Sequence, residues 1–201
     1  VGSEMCIRDR YKESKFFAEN QAAHRWEKHR GLRELSGKTA CIIGTGSVGS
    51  AIARRLRAFD VQTVGINRSG HPAAEFDQTQ PTCRLDDLLP LADLVSCAMP
   101  LTAETAGLFD SVRLAKIKPG AVFVNVARGK VTDQQALVEA LQSGQLSGAV
   151  LDVFEEEPLP RSSPLWDMEQ VILTPHNSFV GEHNGERLFR LFCKNLESFA
   201  Q

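Results

Sequence analysis

The sequence has few of the features that mark disulfide, metal, membrane or nucleic-acid-binding proteins. Its five cysteines form no CxxC pair and mostly lie in apolar runs, so we expect buried thiols and neither disulfides nor metal ligands. No run approaches the roughly 18 apolar residues of a spanning helix, and no charged-then-apolar leader opens the chain. The 23 basic and 25 acidic residues give no basic face for nucleic acid and no polybasic membrane segment. A cytoplasmic location is therefore expected.

The chain is long enough, and contains enough hydrophobic residues, to form one large domain. It contains 201 residues, of which 42% are hydrophobic, and this suffices for a real core. Residues 1–10 match the rest in neither periodicity nor composition, and they resemble vector or sequencing-adaptor read-through. We therefore predict a non-native tail and leave it out of the fold prediction.

The segment 11–36 predicts a joining helix, which runs to about residue 29, followed by a linker. The helix carries Phe16, Phe17 and Trp26 on a limited apolar face, and such a face needs a partner surface.

Apolar runs and amphipathic stretches then alternate along the chain. We predict strands at 39–44, 61–67, 94–98, 121–126, 148–153 and 171–174. Helices are predicted at 47–58 and 85–91, between a Thr132–Gln135 capping box and Gly144, and at 185–199, with a loop at 69–80. Strands that are continuously apolar are typical of sheets with helices on both faces. The fold class is therefore α/β, a doubly wound parallel sheet of the Rossmann type.

Nearly every predicted strand is followed at once by glycine or by a polar residue. These positions include Gly44 to Gly49, Asn67 and Arg68, Met99 and Pro100, Ala127 and Arg128, Asp152, and Thr174 to His176. In an open parallel sheet, ligands bind beyond the carboxyl ends of the strands. The sequence therefore predicts a single cleft at that edge.

The first of these segments is GTGSVG. Gly44 permits a tight turn, Gly46 lets the backbone approach a pyrophosphate, and Gly49 lets the next helix pack closely. The amides of Ser47 and Val48 would face the anion. A glycine-rich turn without a ligand is the alternative, but the preceding strand and following helix favour a bound dinucleotide.

The residues after the second strand bear on which dinucleotide binds. In NAD-binding domains a carboxylate at this position normally binds the hydroxyls of the adenine ribose. Here Asn67, Arg68 and Ser69 include no acid, and Asp60 comes too early in the sequence. Arg68 and Ser69 could hold a 2′-phosphate, which favours NADP over NAD. Alternatively, Arg68 stacks on adenine or points to solvent.

Three further residues suit the reduction of a 2-keto acid. Arg128 can bind the carboxylate and polarise the ketone, His176 can protonate the oxygen, and Glu157 can orient the imidazole. Each has a simpler interpretation. Arg128 would be a surface charge, His176 a capping or buried histidine, and Glu157 a member of the acidic run 155–157. Their placement at strand ends in one predicted cleft favours the catalytic interpretation.

The segments NVARGKVTD, GAVLDVFEEEPLP, TPHNS and MPLTAET, together with GTGSVG, resemble the D-isomer-specific 2-hydroxyacid dehydrogenase family from about residue 16 onward. The resemblance implies an NAD(P)-dependent oxidoreductase with Arg128 on the substrate, His176 as proton donor and Glu157 as its partner. It also implies that Asp152 binds the nicotinamide carboxamide. Other implied cofactor contacts are Ser47, Val48, Met99, Pro100, Thr105, Val126, Ala127 and Ser178.

Family members have two domains, and this sequence resembles the nucleotide-binding half. Residues 37–180 would form the dinucleotide-binding domain and residues 181–201 a truncated returning helix. We therefore expect cofactor binding with little or no turnover from this chain alone. The resemblance also implies a homodimer in which Phe16, Phe17 and Trp26 are covered.

Two other functions stay open. A corepressor that resembles C-terminal-binding protein would share the fold and the three residues but use the dinucleotide as a signal, and a catalytically silent fragment is the simplest case. A formate-type enzyme is disfavoured, because such relatives carry glutamine where Glu157 stands. The sequence does not distinguish glyoxylate, hydroxypyruvate, phenylpyruvate and branched keto acids as substrates.

Overall fold

A computed structural model describes residues 3–199, and its framework is a sheet of seven parallel strands. The strands are β1 (Thr39–Ile43), β2 (Gln62–Asn67), β3 (Gln78–Pro81), β4 (Leu94–Cys97), β5 (Ala121–Asn125), β6 (Leu146–Leu151) and β7 (Val171–Leu173). Their order across the sheet is β3-β2-β1-β4-β5-β6-β7. The chain thus moves outward from β1 in one direction and then from β4 in the other. This confirms the predicted doubly wound sheet and puts a switch of direction between β1 and β4.

Helices cover both faces of this sheet. They are α1 (Ser3–Tyr11), α2 (Ser14–Ala22), α3 (Ser47–Arg57), α4 (Leu85–Leu88), α5 (Ser111–Lys116), α6 (Gln134–Gln142) and α7 (Asn184–Phe199). Short 3-10 turns lie at Thr82–Arg84, Leu89–Leu91, Gly129–Val131 and Pro164–Asp167. Within residues 3–199, no helix is long and apolar enough to cross a membrane.

Strand β1 shows why its sequence is apolar at every buried position. Ala40 and Ile42 pack into a cluster that includes residues of α1 and α3. Cys41 and Ile43 point the other way, into the larger cluster with α4, α5 and α6. Successive residues of a strand face opposite sides of the sheet. A sheet with helices on both faces therefore needs apolar residues at odd and even strand positions alike.

The cysteine prediction is right for two of the five positions. Cys41 and Cys97 are buried thiols, and burial raises the pKa of Cys41 to about 12. Cys83 is instead exposed, and Cys6 and Cys193 are half-buried.

Residues 3–10, which the sequence analysis left out of the predicted fold, are part of it. They form most of α1, where Ile7 and Tyr11, four positions apart on one helix face, are buried in the core. The Arg10 guanidinium also donates to the Ser147 carbonyl at 2.8 Å. The non-native origin of this segment stays a prediction, and residues 1–2 lie outside the described part.

The joining helix is shorter than predicted. A break at Glu13, where φ is +51°, separates α1 from α2, and α2 ends at Ala22. Between Ala22 and β1 the chain forms no helix or strand, and Trp26 is 96% exposed.

Three elements beyond β2 also differ from the sequence prediction. The loop predicted at 69–80 ends in β3, an edge strand that was missed because it is polar. Helix α5 was missed because it has only six residues, too few to show a period. Asp133, and not Thr132, caps α6 by accepting from the Ala136 amide at 3.0 Å.

Candidate active site

The turn from β1 into α3 contains three glycines with different packing. A Cβ on Gly49 would lie 1.8 Å from the Gly44 carbonyl oxygen, and one on Gly44 would lie 2.6 Å from the Ala98 carbonyl oxygen. Protein packing therefore requires both glycines. A Cβ on Gly46 would meet no atom within 4 Å. The fold does not need glycine there, so the open space is available to a ligand.

Helix α3 begins directly beyond Gly46, at Ser47. The first amides of a helix have no partner inside the helix, and they carry partial positive charge. The amides of Ser47 and Val48 thus offer donors beside the open face of Gly46. This arrangement fits the pyrophosphate of a dinucleotide.

A cavity of about 280 Å³ connects this turn with the predicted catalytic residues. Its walls are formed by Val48, Val126, Arg128, Asp152, His176, Ser178 and Phe179. The start of α3 and the carboxyl ends of β5, β6 and β7 contribute these residues. The structure therefore brings Arg128 and His176 together in one cleft, although they are 48 positions apart in the sequence.

Glu157 holds the imidazole of His176. His176 Nδ1 lies 2.8 Å from Glu157 Oε2, and Glu157 Oε1 accepts from the Phe154 amide at 3.0 Å. Burial opposes ionisation of Glu157, but the hydrogen bonds from His176 and Phe154 outweigh it and hold the pKa of Glu157 below its usual value. A charged carboxylate at Nδ1 leaves Nε2 as the nitrogen that can act on a ligand.

Asp152 shapes the loop that carries His176. Its buried carboxylate accepts from the Thr174 hydroxyl at 2.6 Å and from the Asn177 and Ser178 amides at 2.8 and 3.0 Å. Its carbonyl accepts from the His176 amide at 2.8 Å, and His176 itself has a φ of +50°. These bonds keep a non-glycine residue in the left-handed region, so Asp152 positions His176. Its role as a carboxamide ligand stays a prediction.

Arg128 is exposed, and its Nη1 donates to the Ala127 carbonyl at 2.7 Å. The residue that fixes its loop is Asn125, which is 2% exposed. Asn125 Nδ2 donates to the Arg128 carbonyl at 3.1 Å, and Oδ1 accepts from the Ala127 amide at 3.0 Å. Sequence reasoning missed Asn125, although an amide inside the apolar run 121–127 was a usable signal.

The Arg128 loop also touches the loop that leads to Glu157. A Cβ on Gly129 would lie 1.8 Å from the Phe154 carbonyl oxygen. The two backbones therefore pass so closely that only glycine fits at this position.

The predicted contacts for the adenine end lie on a separate loop. Asn67 Nδ2 donates to the Thr45 hydroxyl at 3.2 Å, which ties this loop to the glycine turn. Arg68 and Ser69 are exposed and line no part of the 280 Å³ cavity. They lie beside the turn, where the adenosine half of a dinucleotide would extend.

The remaining predicted contacts follow β4. Met99 is buried, and its amide nitrogen would lie 2.9 Å from a Cβ on Gly44. Thr105 donates to the Pro100 carbonyl at 2.8 Å and accepts from the Thr102 amide at 2.7 Å. These hydrogen bonds shape the loop, and none of the three residues lines the cavity.

The sheet, the glycine turn and the cleft define a Rossmann-type dinucleotide-binding domain. The chain belongs to the family described as D-isomer specific 2-hydroxyacid dehydrogenase, NAD binding domain, whose model matches residues 5–178. This confirms the resemblance drawn from the sequence motifs.

Relatives and solved structures agree with this assignment. A glyoxylate reductase of Pyrococcus furiosus is 40% identical over 166 residues, which cover 83% of this chain and 49% of the relative. Glyoxylate/hydroxypyruvate reductase B of Citrobacter koseri is 44% identical over 144 residues, or 71% of this chain and 44% of the relative. The chain thus spans about half the length of these relatives.

Two crystal structures of family members align over most of the chain. A protein from Aeromonas salmonicida is 37% identical with a TM-score of 0.87, and the alignment covers 96% of this chain and 62% of that protein. A dehydrogenase from Xanthobacter autotrophicus, in complex with NADPH and MES, is 34% identical with a TM-score of 0.79 and coverages of 90% and 57%.

Proposed function

We propose that this chain is the dinucleotide-binding and catalytic half of an NAD(P)H-dependent enzyme that interconverts a 2-keto acid and a D-2-hydroxy acid. The observation that carries the proposal is the hydrogen bond of 2.8 Å between Glu157 and His176, made at the edge of the cavity that Arg128 also lines. A cation, an acid and the start of a helix in one cleft are what this reaction requires.

Each residue has a distinct task. Bound NAD(P)H supplies the hydride. The Arg128 guanidinium binds the substrate carboxylate and polarises the ketone. His176 gives a proton from Nε2 to the oxygen, and Glu157 stabilises the protonated imidazole through Nδ1.

NADP(H) is the preferred cofactor in this proposal. The loop after β2 offers Arg68 and Ser69 and no carboxylate, which suits a 2′-phosphate and leaves the ribose diol of NAD without an acceptor. The NADPH complex of the Xanthobacter protein supports the same assignment.

We expect this chain alone to bind cofactor with little turnover, because it matches only about half of each relative. Activity close to that of an intact relative would refute this expectation.

We further propose a cytoplasmic location and a homodimer. The exposed apolar side chains support the dimer, since Phe17 is 40% and Trp26 96% exposed. Sedimentation of a monomer at micromolar concentration would count against the dimer.

The experiment that tests the function has two parts. NADPH and NADH are titrated into the chain by nicotinamide fluorescence, and binding of NADPH with the tighter Kd is expected. Glyoxylate, hydroxypyruvate and pyruvate are then tested with the longer protein of which we propose this domain is a part. Oxidation that His176→Gln abolishes would support the proposal. Binding without oxidation by any keto acid would instead favour a dinucleotide-sensing protein.

A further inference from the structure

The loop after β2 contains a third donor besides Arg68 and Ser69. His71 is exposed on the same short loop. Its Nδ1 lies 3.1 Å from Ser69 Oγ. The imidazole and the hydroxyl thus form a pair at the surface, on residues that directly follow Arg68 in the chain.

The loop is held in place by its own backbone and side chains. Asn67 Oδ1 accepts from the Gly70 amide at 2.6 Å, and Asn67 Nδ2 donates to the His71 carbonyl at 2.9 Å. Thr79 of β3 donates to the Gly70 carbonyl at 3.2 Å. Because Asn67 also binds Thr45, the backbone that carries the three donors is held beside the glycine turn.

In either tautomer of His71, the Ser69–His71 pair keeps one hydrogen-bond donor that the pair itself does not use. If the Ser69 hydroxyl donates to Nδ1, the ring proton is on Nε2 and is available to a ligand. If Nδ1 carries the proton and donates to Ser69, the hydroxyl hydrogen is available instead. A protonated imidazole offers Nε2–H and adds a positive charge.

Arg68 also has capacity for a ligand. Its side chain makes no hydrogen bond among residues 3–199, and the charged group that it acts on is Glu104 on the loop after β4. The Thr102 hydroxyl is the main group that holds the pKa of Glu104 below its usual value, and Arg68 adds to this effect through space. The guanidinium is therefore within electrostatic range of the loop after β4.

We propose that His71 is a specificity-determining residue, which completes with Arg68 and Ser69 a three-donor site for the 2′-phosphate of NADP(H). The inference rests on the proposed dinucleotide-binding function and extends it to a residue outside the glycine turn. A phosphomonoester has three acceptor oxygens, which three donors on one short loop can satisfy.

The test uses two small probes that differ in the position of one phosphate. The probe 2′,5′-ADP carries the 2′-phosphate, whereas ADP carries only the 5′-diphosphate. Calorimetric titration of the wild-type chain is expected to show tighter binding of 2′,5′-ADP. His71→Ala should weaken 2′,5′-ADP by about five- to tenfold, as for the loss of one charge-assisted hydrogen bond, with ADP changed by less than about twofold. His71→Gln keeps an amide donor and should show a smaller loss.

His183→Ala, at another exposed histidine, is the matched control and should leave both probes unchanged. Equal binding of 2′,5′-ADP by wild type and His71→Ala would overturn the inference, and so would an equal loss for both probes. Wild-type chain that binds neither probe would contradict the proposed function itself. An unchanged melting temperature of His71→Ala and His71→Gln shows that the comparison concerns folded protein.

Discussion

Alanine at Gly46 and alanine at Gly49 should have opposite consequences, although both glycines belong to the same motif. Gly46 has a φ of −74° and a ψ of −168°, which alanine adopts without strain, and an added Cβ meets nothing within 4 Å. At Gly49 the added Cβ lies 1.8 Å from the Gly44 carbonyl oxygen. The first change alters the surface of the cleft, whereas the second alters the interior.

The magnitudes follow from these distances. At Gly49 the backbone must separate by more than about 1 Å to restore van der Waals contact, which costs about 3 kcal/mol of unfolding free energy. At Gly46 the entropy gained by replacing glycine and the small loss of capping nearly cancel, so stability should change by less than about 1 kcal/mol. Affinity for NADPH should nevertheless fall at least about tenfold, because the methyl group occupies the space that a pyrophosphate needs.

Urea denaturation measures the stability change, and quenching or enhancement of nicotinamide fluorescence measures NADPH binding. The expected result is a stable Gly46→Ala that binds poorly and a destabilised Gly49→Ala. Gly46→Ala with wild-type affinity would refute the assignment of the open space to the cofactor. A large loss of stability in Gly46→Ala would refute the packing argument.

Three further changes probe the supporting structure. Asn125→Ala removes buried hydrogen bonds at the end of β5 and should cost about 1–3 kcal/mol of unfolding free energy in urea denaturation. Burial opposes ionisation of Asp93, yet hydrogen bonds from Lys118 and Thr39 hold its pKa below the usual value. Its stabilisation is therefore present above the unfolded pKa and lost as pH falls through the lower folded pKa. Asp93→Asn should cost about 1 kcal/mol at pH 7, and melts at successively lower pH should show the difference from wild type shrinking as the pH falls below the unfolded pKa of aspartate and through the lower folded pKa. Glu157→Gln should leave the Kd for NADPH unchanged but lower kcat in the longer protein by about a hundredfold; an equal fall in affinity would contradict its assigned role.

The sheet was predictable because its strands carry a strong local signal. A strand such as β5 is apolar at nearly every position, and a glycine motif directly after an apolar strand such as β1 is typical of a phosphate-binding turn. Elements with weak signals were missed for physical reasons. The edge strand β3 is polar since only one of its sides is paired. Among the α1 residues whose burial the structure describes, Ile7 and Tyr11 belong to the core and Cys6 packs against it.

The sequence predicted the residues that line the site, but not the residues whose hydrogen bonds hold its loops. Strand ends indicated Arg128 and His176, because parallel strands bring their carboxyl ends to one edge. The roles of Asn125 and Asp152 depend on hydrogen bonds to backbone groups of neighbouring loops, and the loop conformations set those bonds. The left-handed conformation of His176 was likewise not evident from sequence.

The central claim is that the nicotinamide of a bound cofactor lies beside Arg128 and His176. A crystal structure of the chain with NADPH tests this most directly. The account predicts the pyrophosphate over Gly46, the nicotinamide ring in the cavity with its C4 facing His176, and the 2′-phosphate near Arg68. A cofactor bound elsewhere, or one whose nicotinamide lies remote from His176, would contradict it.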